Sequence, residues 1–194
     1  MAPGYPLNLT LEGRKCLVIG SGAEGLLRAR NLLEVQAEVY VVGDEPSAEL
    51  TELVEQTRLT FERRRFQKRD LDGAWLVVQT TQDAELAATL GKLCETKRIF
   101  FCAVDQPENS SFSHLALARA GALTFAIGTE GRAPALGRKL REELERVLGE
   151  ANAEAELERL AELREATPPE GRREILSAAV ADVHFTGSLR FRKE

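Results

Sequence analysis

RKCLVIGSGAEGLLRARNLLEVQAEVYVVGD, residues 14–44, decides the fold. Its first seven residues are charged on entry and apolar within, the pattern of a short buried strand. Residues 21–36 begin with glycines and continue with Leu26, Leu27, Arg30 and Leu33 at helical spacing. AEVYVVG, residues 37–43, reads as a second strand. Strand, glycine turn, helix and strand make one βαβ unit.

The turn itself, GSGAEG, sets Gly20, Gly22 and Gly25 in a G-x-G-x-x-G array. In such an array the first glycine permits a tight turn and the second lets a pyrophosphate approach the backbone. The third permits close packing of helix on strand. Ala23 and Glu24 then lie at the helix start, where unpaired N–H groups face the phosphate. Asp44 follows the second strand, in the place of the carboxylate that accepts a ribose 2′-hydroxyl, which favours NAD over NADP. The alternative for Asp44 is an ordinary turn aspartate. The cofactor expected is therefore NAD.

Working outward, LTELVEQ (50–56) predicts a short helix and LTFERRRF (59–66) a strand with a charge cluster. AWLVVQTT (74–81) predicts a strong strand, DAELAATLGKLCETKR (83–98) a helix, and IFFCAVD (99–105) another strand. Repeated right-handed crossovers give an α/β, Rossmann-like, doubly wound parallel sheet. Ligands collect at the carboxyl ends of such strands. Thr80 and Thr81 lie there, either bordering the nicotinamide ribose or capping the next helix, for which Asp83 is a good N-cap. Beyond residue 112 the pattern changes. ALTFAIGTE (122–130) predicts a strand, and PALGRKLREELERVLG (134–149) a helix with Pro134 at its start and a Leu136, Leu140, Leu144, Val147, Leu148 stripe. ANAEAELERLAELREAT (151–167) and RREILSAAVADV (172–183) predict two more helices, separated by PPEG, and the tail HFTGSLRFRKE is expected to fray.

Composition narrows the function. The 194 residues carry a net charge of −5 and 43% apolar side chains. That suits a globular protein and argues against nucleic acid as a partner, which calls for a basic footprint. No apolar run reaches the roughly 18 residues that span a membrane, and the first residues do not read as a secretion signal. Cys16, Cys94 and Cys102 form neither a CxxC pair nor a zinc pattern. A reducing, cytoplasmic location is the expectation, with no resident metal and no membrane partner.

The remaining question is FCAVDQPENSSF, residues 101–112. Asp105 ends a buried strand, either as a turn residue or facing a ligand. His114 follows in the same turn, as an acid–base group or as a hydrogen-bonded loop histidine. The ordered set of strand–GSGAEG–helix, QTTQD, IFFCAVDQPENSSF and LTFAIGTEGRAPALGRKLREELE resembles the precorrin-2 dehydrogenase family, the dehydrogenase modules of siroheme synthases, over roughly residues 6–180.

The resemblance implies NAD-dependent oxidation of precorrin-2 to sirohydrochlorin, a tetrapyrrole substrate and a homodimer. It implies three regions: residues 1–112 as an NAD-binding Rossmann-like domain, 113–150 as a small α+β dimerisation and substrate region, and 151–194 as C-terminal helices and tail. It aligns Asp105 with the family aspartate linked to dehydrogenation and, in some members, to ferrochelatase activity. Thr129 matches a hydroxyl position of the substrate region. Because the substrate is a polycarboxylate, Arg119, Arg132 and Arg138 are candidate contacts. The sequence departs from the family at Ser21, Glu24, Gly25, Leu27, Cys102 and Glu130. Those departures keep two alternatives open: a sirohydrochlorin ferrochelatase, or a nucleotide- or tetrapyrrole-binding relative with weakened catalysis.

Overall fold

A computed structural model describes residues 4–186. β1 (Lys15–Ile19) leads through the glycine turn into α1 (Ala23–Glu34), then β2 (Glu38–Gly43), α2 (Ala48–Gln56) and β3 (Thr60–Arg63). After a long connection come β4 (Leu76–Gln79), α3 (Ala84–Lys97) and β5 (Phe100–Ala103). The five strands are parallel in the order β3-β2-β1-β4-β5. The order reverses between β1 and β4, which is where open α/β sheets bind ligands.

Alternation along each strand builds two apolar layers, one per face. Cys16 and Val18 of β1 pack with Ala29 and Leu32 of α1 and Leu50 of α2. Leu17 and Ile19 face the other way, onto Ala87, Leu90 and Cys94 of α3. Each fully buried leucine or valine contributes about 1.5–3 kcal/mol. The helix starts are set by capping. The Ser47 hydroxyl accepts from Leu50 N–H at 3.2 Å and the Asp83 carboxylate from Leu86 N–H at 2.9 Å. α2 therefore begins two residues before the periodic run suggested.

Two connections matter for the site. Between β3 and β4 a single 3₁₀ turn, Lys68–Leu71, replaces a full crossover helix. It is pinned by Asp70, whose two oxygens take Arg64 in a fork at 2.8 Å each while one also accepts Gln67 N–H. The second connection, after β5, folds back along that edge strand. Ser111 Oγ accepts from Phe101 N–H and Ser110 Oγ from Ala103 N–H, so two hydroxyls stand in for a missing sixth strand.

The described residues form two compact units that divide between His114 and Leu115. In the second, β6 (Ala116–Ala120) and β7 (Leu123–Ile127) form an antiparallel hairpin around Gly121, with Ala118 opposite Phe125. α4 (Pro134–Glu150) packs on β6, where Gly137 is buried near Ala116. α5 (Ala153–Ala166) packs on α4, and α6 (Arg172–Ala179) on α5. Arg172 donates two hydrogen bonds to the Thr167 carbonyl and so closes the turn between α5 and α6. β6 had no sequence signal of its own, because ALARA is poor in β-formers and is held as a strand by pairing with β7. β7 ends before Gly128, and Glu130 and Gly131 both take left-handed backbone, so the strand expected to run through Glu130 stops early. α6 likewise stops at Ala179, four residues short of the expected end. Most of the expected frayed tail lies outside the described residues.

Candidate functional site

The three glycines of the turn meet three different demands. Gly20 has φ +118°, and a Cβ there would stand 2.3 Å from Thr80 Oγ1. A Cβ on Gly25 would stand 2.0 Å from the Gly20 carbonyl oxygen, a backbone atom that cannot yield. A Cβ on Gly22 would meet nothing within 4 Å. The first and third glycines are thus required by packing, and the second fronts open space, as a pyrophosphate cradle needs. Gly22 is also the N-cap of α1 and no side chain caps that helix start, so first-turn N–H groups at Ala23, Glu24 and Gly25 remain available to an anion. These residues fit a dinucleotide.

Ser21, where the resembling family has glycine, is buried. Its hydroxyl donates to the Glu45 carbonyl at 3.0 Å, and it packs so closely on Gly43 that a Cβ there would lie 2.6 Å from Ser21 Oγ. This link draws the end of β2 against the glycine turn and sets exposed Asp44 beside it. Thr80 does not cap α3. Its hydroxyl and N–H both go to the Ile19 carbonyl, at 3.1 and 2.8 Å, closing the switch point between β1 and β4. Thr81 instead receives the Gln79 amide at its hydroxyl and carbonyl, and Asp83 alone supplies a side-chain cap for α3.

Glu24 does not occupy the open space at Gly22. It forms an i,i+4 pair with Arg28, whose side chain is only 18% exposed. Arg28 Nε is buried without a hydrogen-bond partner among the described residues. The Arg28 charge also reaches Cys102 on β5 and His114. Arg28 was not among the expected site residues. Its sequence signals were a position four residues after Glu24, common on any solvated helix, and the positive charge it keeps where the resembling family has lysine.

At the end of β5, Asp105 is exposed and holds left-handed backbone at φ +62°. That conformation is uncommon outside glycine, although aspartate and asparagine tolerate it better than most residues. Cys102, three residues before, is buried, and burial raises its thiol pKa, against the hydrogen bond from Ser110 and the Arg28 charge. The negative charges of Glu24 and Asp105 act on the same thiol, so Asp105, Glu24 and Arg28 bear on one corner of the sheet. His114 stacks edge-on against Phe112 with ring centroids 5.2 Å apart. Loss of surrounding water and the Arg28 charge lower its pKa to about 4, a depression moderated because more than a third of the residue stays exposed. His114 is therefore the neutral imidazole near pH 7.

The other expected site residues lie in the second unit. Thr129 is half-buried, its methyl facing Gly137, and its carbonyl accepts Arg132 N–H at 2.9 Å. Arg132 and Arg138 are exposed, one in the left-handed turn before α4 and the other on α4. Arg119 lies on β6 opposite Thr124. Among the described residues no group of three or more His, Cys, Asp or Glu is placed to hold a metal ion. No helix there is long and apolar enough to cross a membrane. A cavity of about 210 Å³ lies away from the glycine turn, under Lys15, Tyr40, Arg64 and Arg69. At the glycine turn the open face of Gly22 offers a ledge to a dinucleotide.

Residues 7–116 match a family described as "Putative NAD(P)-binding". Siroheme synthase 3 of Aeromonas hydrophila subsp. hydrophila is 35% identical over 143 residues, which is 74% of this chain and 31% of that protein. A siroheme synthase of Chromobacterium violaceum is 33% identical over 144 residues, again 74% of this chain and 31% of that protein. The chain thus spans about a third of the length of these curated relatives. Among solved structures, SirC, a precorrin-2 dehydrogenase, superposes with a TM-score of 0.77 at 24% identity, covering 92% of this chain and 90% of that one. At that identity the likeness concerns the fold.

Proposed function

The chain belongs to the NAD(P)-binding siroheme synthase/precorrin-2 dehydrogenase family, and from that premise we propose that it oxidises precorrin-2 to sirohydrochlorin with NAD as the hydride acceptor. One observation supports this reading above the others. An uncapped helix start fronted by the open face of Gly22 adjoins the strand ends that carry Asp44 and Asp105. Gly22, Ala23, Glu24 and Gly25 hold the pyrophosphate by backbone N–H groups, Gly20 shapes the turn with its own N–H given to the Val42 carbonyl, and Asp44 accepts a ribose hydroxyl. The bound nicotinamide supplies the hydride acceptor.

Each dehydrogenation removes a hydride and a proton from the macrocycle. Asp105, exposed at its strand end, is the group we assign to the proton, and neutral His114 is a second acceptor in the same connection. In the second unit, Thr129, Arg132, Arg138 and Arg119 are the groups we assign to the carboxylates of the tetrapyrrole. We further propose a homodimer formed through the second unit, where Leu136, Leu140, Leu144 and Val147 of α4 stay only half-buried. The three cysteines are free and buried, and burial pushes Cys16 up to about 12 and Cys94 up to about 11, which suits unreactive thiols in a reducing cytoplasm.

The test is incubation of the purified chain with precorrin-2 and NAD, following NADH and sirohydrochlorin by absorbance. Formation of both in equal steps is expected. NADH binding without either product would leave a binding relative. Insertion of cobaltous or ferrous ion into sirohydrochlorin without oxidation would assign the chelatase instead.

A further inference from the structure

The β3 edge of the cofactor ledge carries a cation that the glycine turn and Asp44 do not explain. Arg63 is the last residue of β3, in register with Gly43 at the end of β2. Its guanidinium pairs with the carboxylate of Glu45, the residue whose carbonyl accepts the Ser21 hydroxyl of the glycine turn. Alternation along β3 puts Arg63 on the side of Phe61, which packs with α1 and α2. Arg64 points to the opposite face, where Glu62 and Asp70 engage it. Arg63 is thus the β3 cation tethered to the ribose end of the ledge.

We propose that Arg63 receives the 2′-phosphate of NADP, so that the chain takes both nicotinamide dinucleotides. The inference rests on the cofactor reading above and adds a residue that sets its specificity. A 2′-phosphate offers three acceptor oxygens and close to two negative charges, and a guanidinium meets it with two parallel N–H donors. The partner to be displaced is weakly held. Side-chain exposures of 66% for Arg63 and 74% for Glu45 leave their ion pair screened by water. Arg63 exchanges one carboxylate for a phosphate dianion, while Asp44 keeps its preference for a free 2′-hydroxyl. The two opposing charges make the ledge permissive rather than selective.

The test is fluorescence titration of the full chain with NADH and with NADPH, each at low and moderate salt. The wild type is expected to bind NADPH within about tenfold of NADH, with the steeper salt dependence for NADPH. Arg63→Gln is expected to weaken NADPH about tenfold or more while moving NADH less than about twofold, the scale of one charge-assisted contact. Glu45→Gln, which releases Arg63, is expected to tighten NADPH. A wild-type preference for NADH beyond about tenfold, or an Arg63→Gln variant that loses both ligands equally or neither, overturns the role of Arg63 and leaves the ledge standing. Failure of the wild type to bind either dinucleotide overturns the ledge and Arg63 together.

Discussion

At Gly25 a single methyl group would collide with the Gly20 carbonyl, whereas at Gly22 it would project into open space. Gly25→Ala should therefore cost on the order of 3 kcal/mol in chemical denaturation. Gly22→Ala should stay within about 1 kcal/mol, the loss of a tolerable N-cap, yet weaken dinucleotide binding. Equal stability losses in the two variants would contradict this division. Gly20 belongs with Gly25, since its positive φ and its approach to Thr80 bind it to the fold as much as to the ligand. Asp105→Asn is a clean probe, because asparagine tolerates the same left-handed backbone. It should melt with the wild type but lose turnover by about 100-fold or more, and full retained activity would remove Asp105 from the proton step. The glycine spacing was legible in the sequence because Gly20, Gly22 and Gly25 fall within one short turn, although the approach of Thr80 to Gly20 is a tertiary contact that spacing does not show. The roles of Ser21 and Arg28 were not, because each depends on a partner brought near by the tertiary fold or on burial that spacing alone does not specify.

The connection between β3 and β4 shows what an element without a helix needs. Burial works against ionising Asp70, but Arg64 and Gln67 N–H overcome that cost and hold its carboxyl below the usual carboxylate range. A lowered folded pKa means the contribution is complete above the ordinary aspartate pKa of about 4 and is lost as pH falls through the lower folded value. Asp70→Asn should cost about 2–3 kcal/mol near neutrality and flatten the acid limb of the stability curve below about pH 4. An unchanged acid limb would show that the fork does not pin the turn. The strands and helices of the parallel sheet were readable from apolar runs and glycine punctuation. β6 was not, since its five residues acquire strand geometry only from the partner across the hairpin. The charge cluster after Phe61 was visible, but its division between Glu45 on one face and Glu62 with Asp70 on the other required the strand's true end.

At the scale of the molecule, both apolar layers of the sheet draw only on residues between Leu9 and Phe112. Residues 1–114 expressed alone should thus melt cooperatively and still bind NADH, while losing the precorrin-2 oxidation proposed above for want of the proposed substrate contacts Thr129, Arg119, Arg132 and Arg138. A fragment that fails to fold would show that the sheet depends on the second unit. Among the described residues of that unit Ala118 and Leu148 are the buried apolar side chains, and much of the α4 stripe is half-covered. If a second copy completes that cover, Leu144→Ala should lower the melting temperature by an amount that shrinks as protein concentration rises, as followed by calorimetry at several concentrations. The loss of strand–helix alternation after Phe112 falls near the division of the described residues between His114 and Leu115. The hydroxyls of Ser110 and Ser111 carry one more consequence. Without them β5 would present bare amides along a strand flanked by exposed Phe100, a template on which another unfolded chain could pair and seed aggregation. The turn that mounts Asp105 is by the same stroke a safeguard of solubility, and replacing both serines by alanine would be expected to show first as precipitation during refolding, before any loss of chemistry.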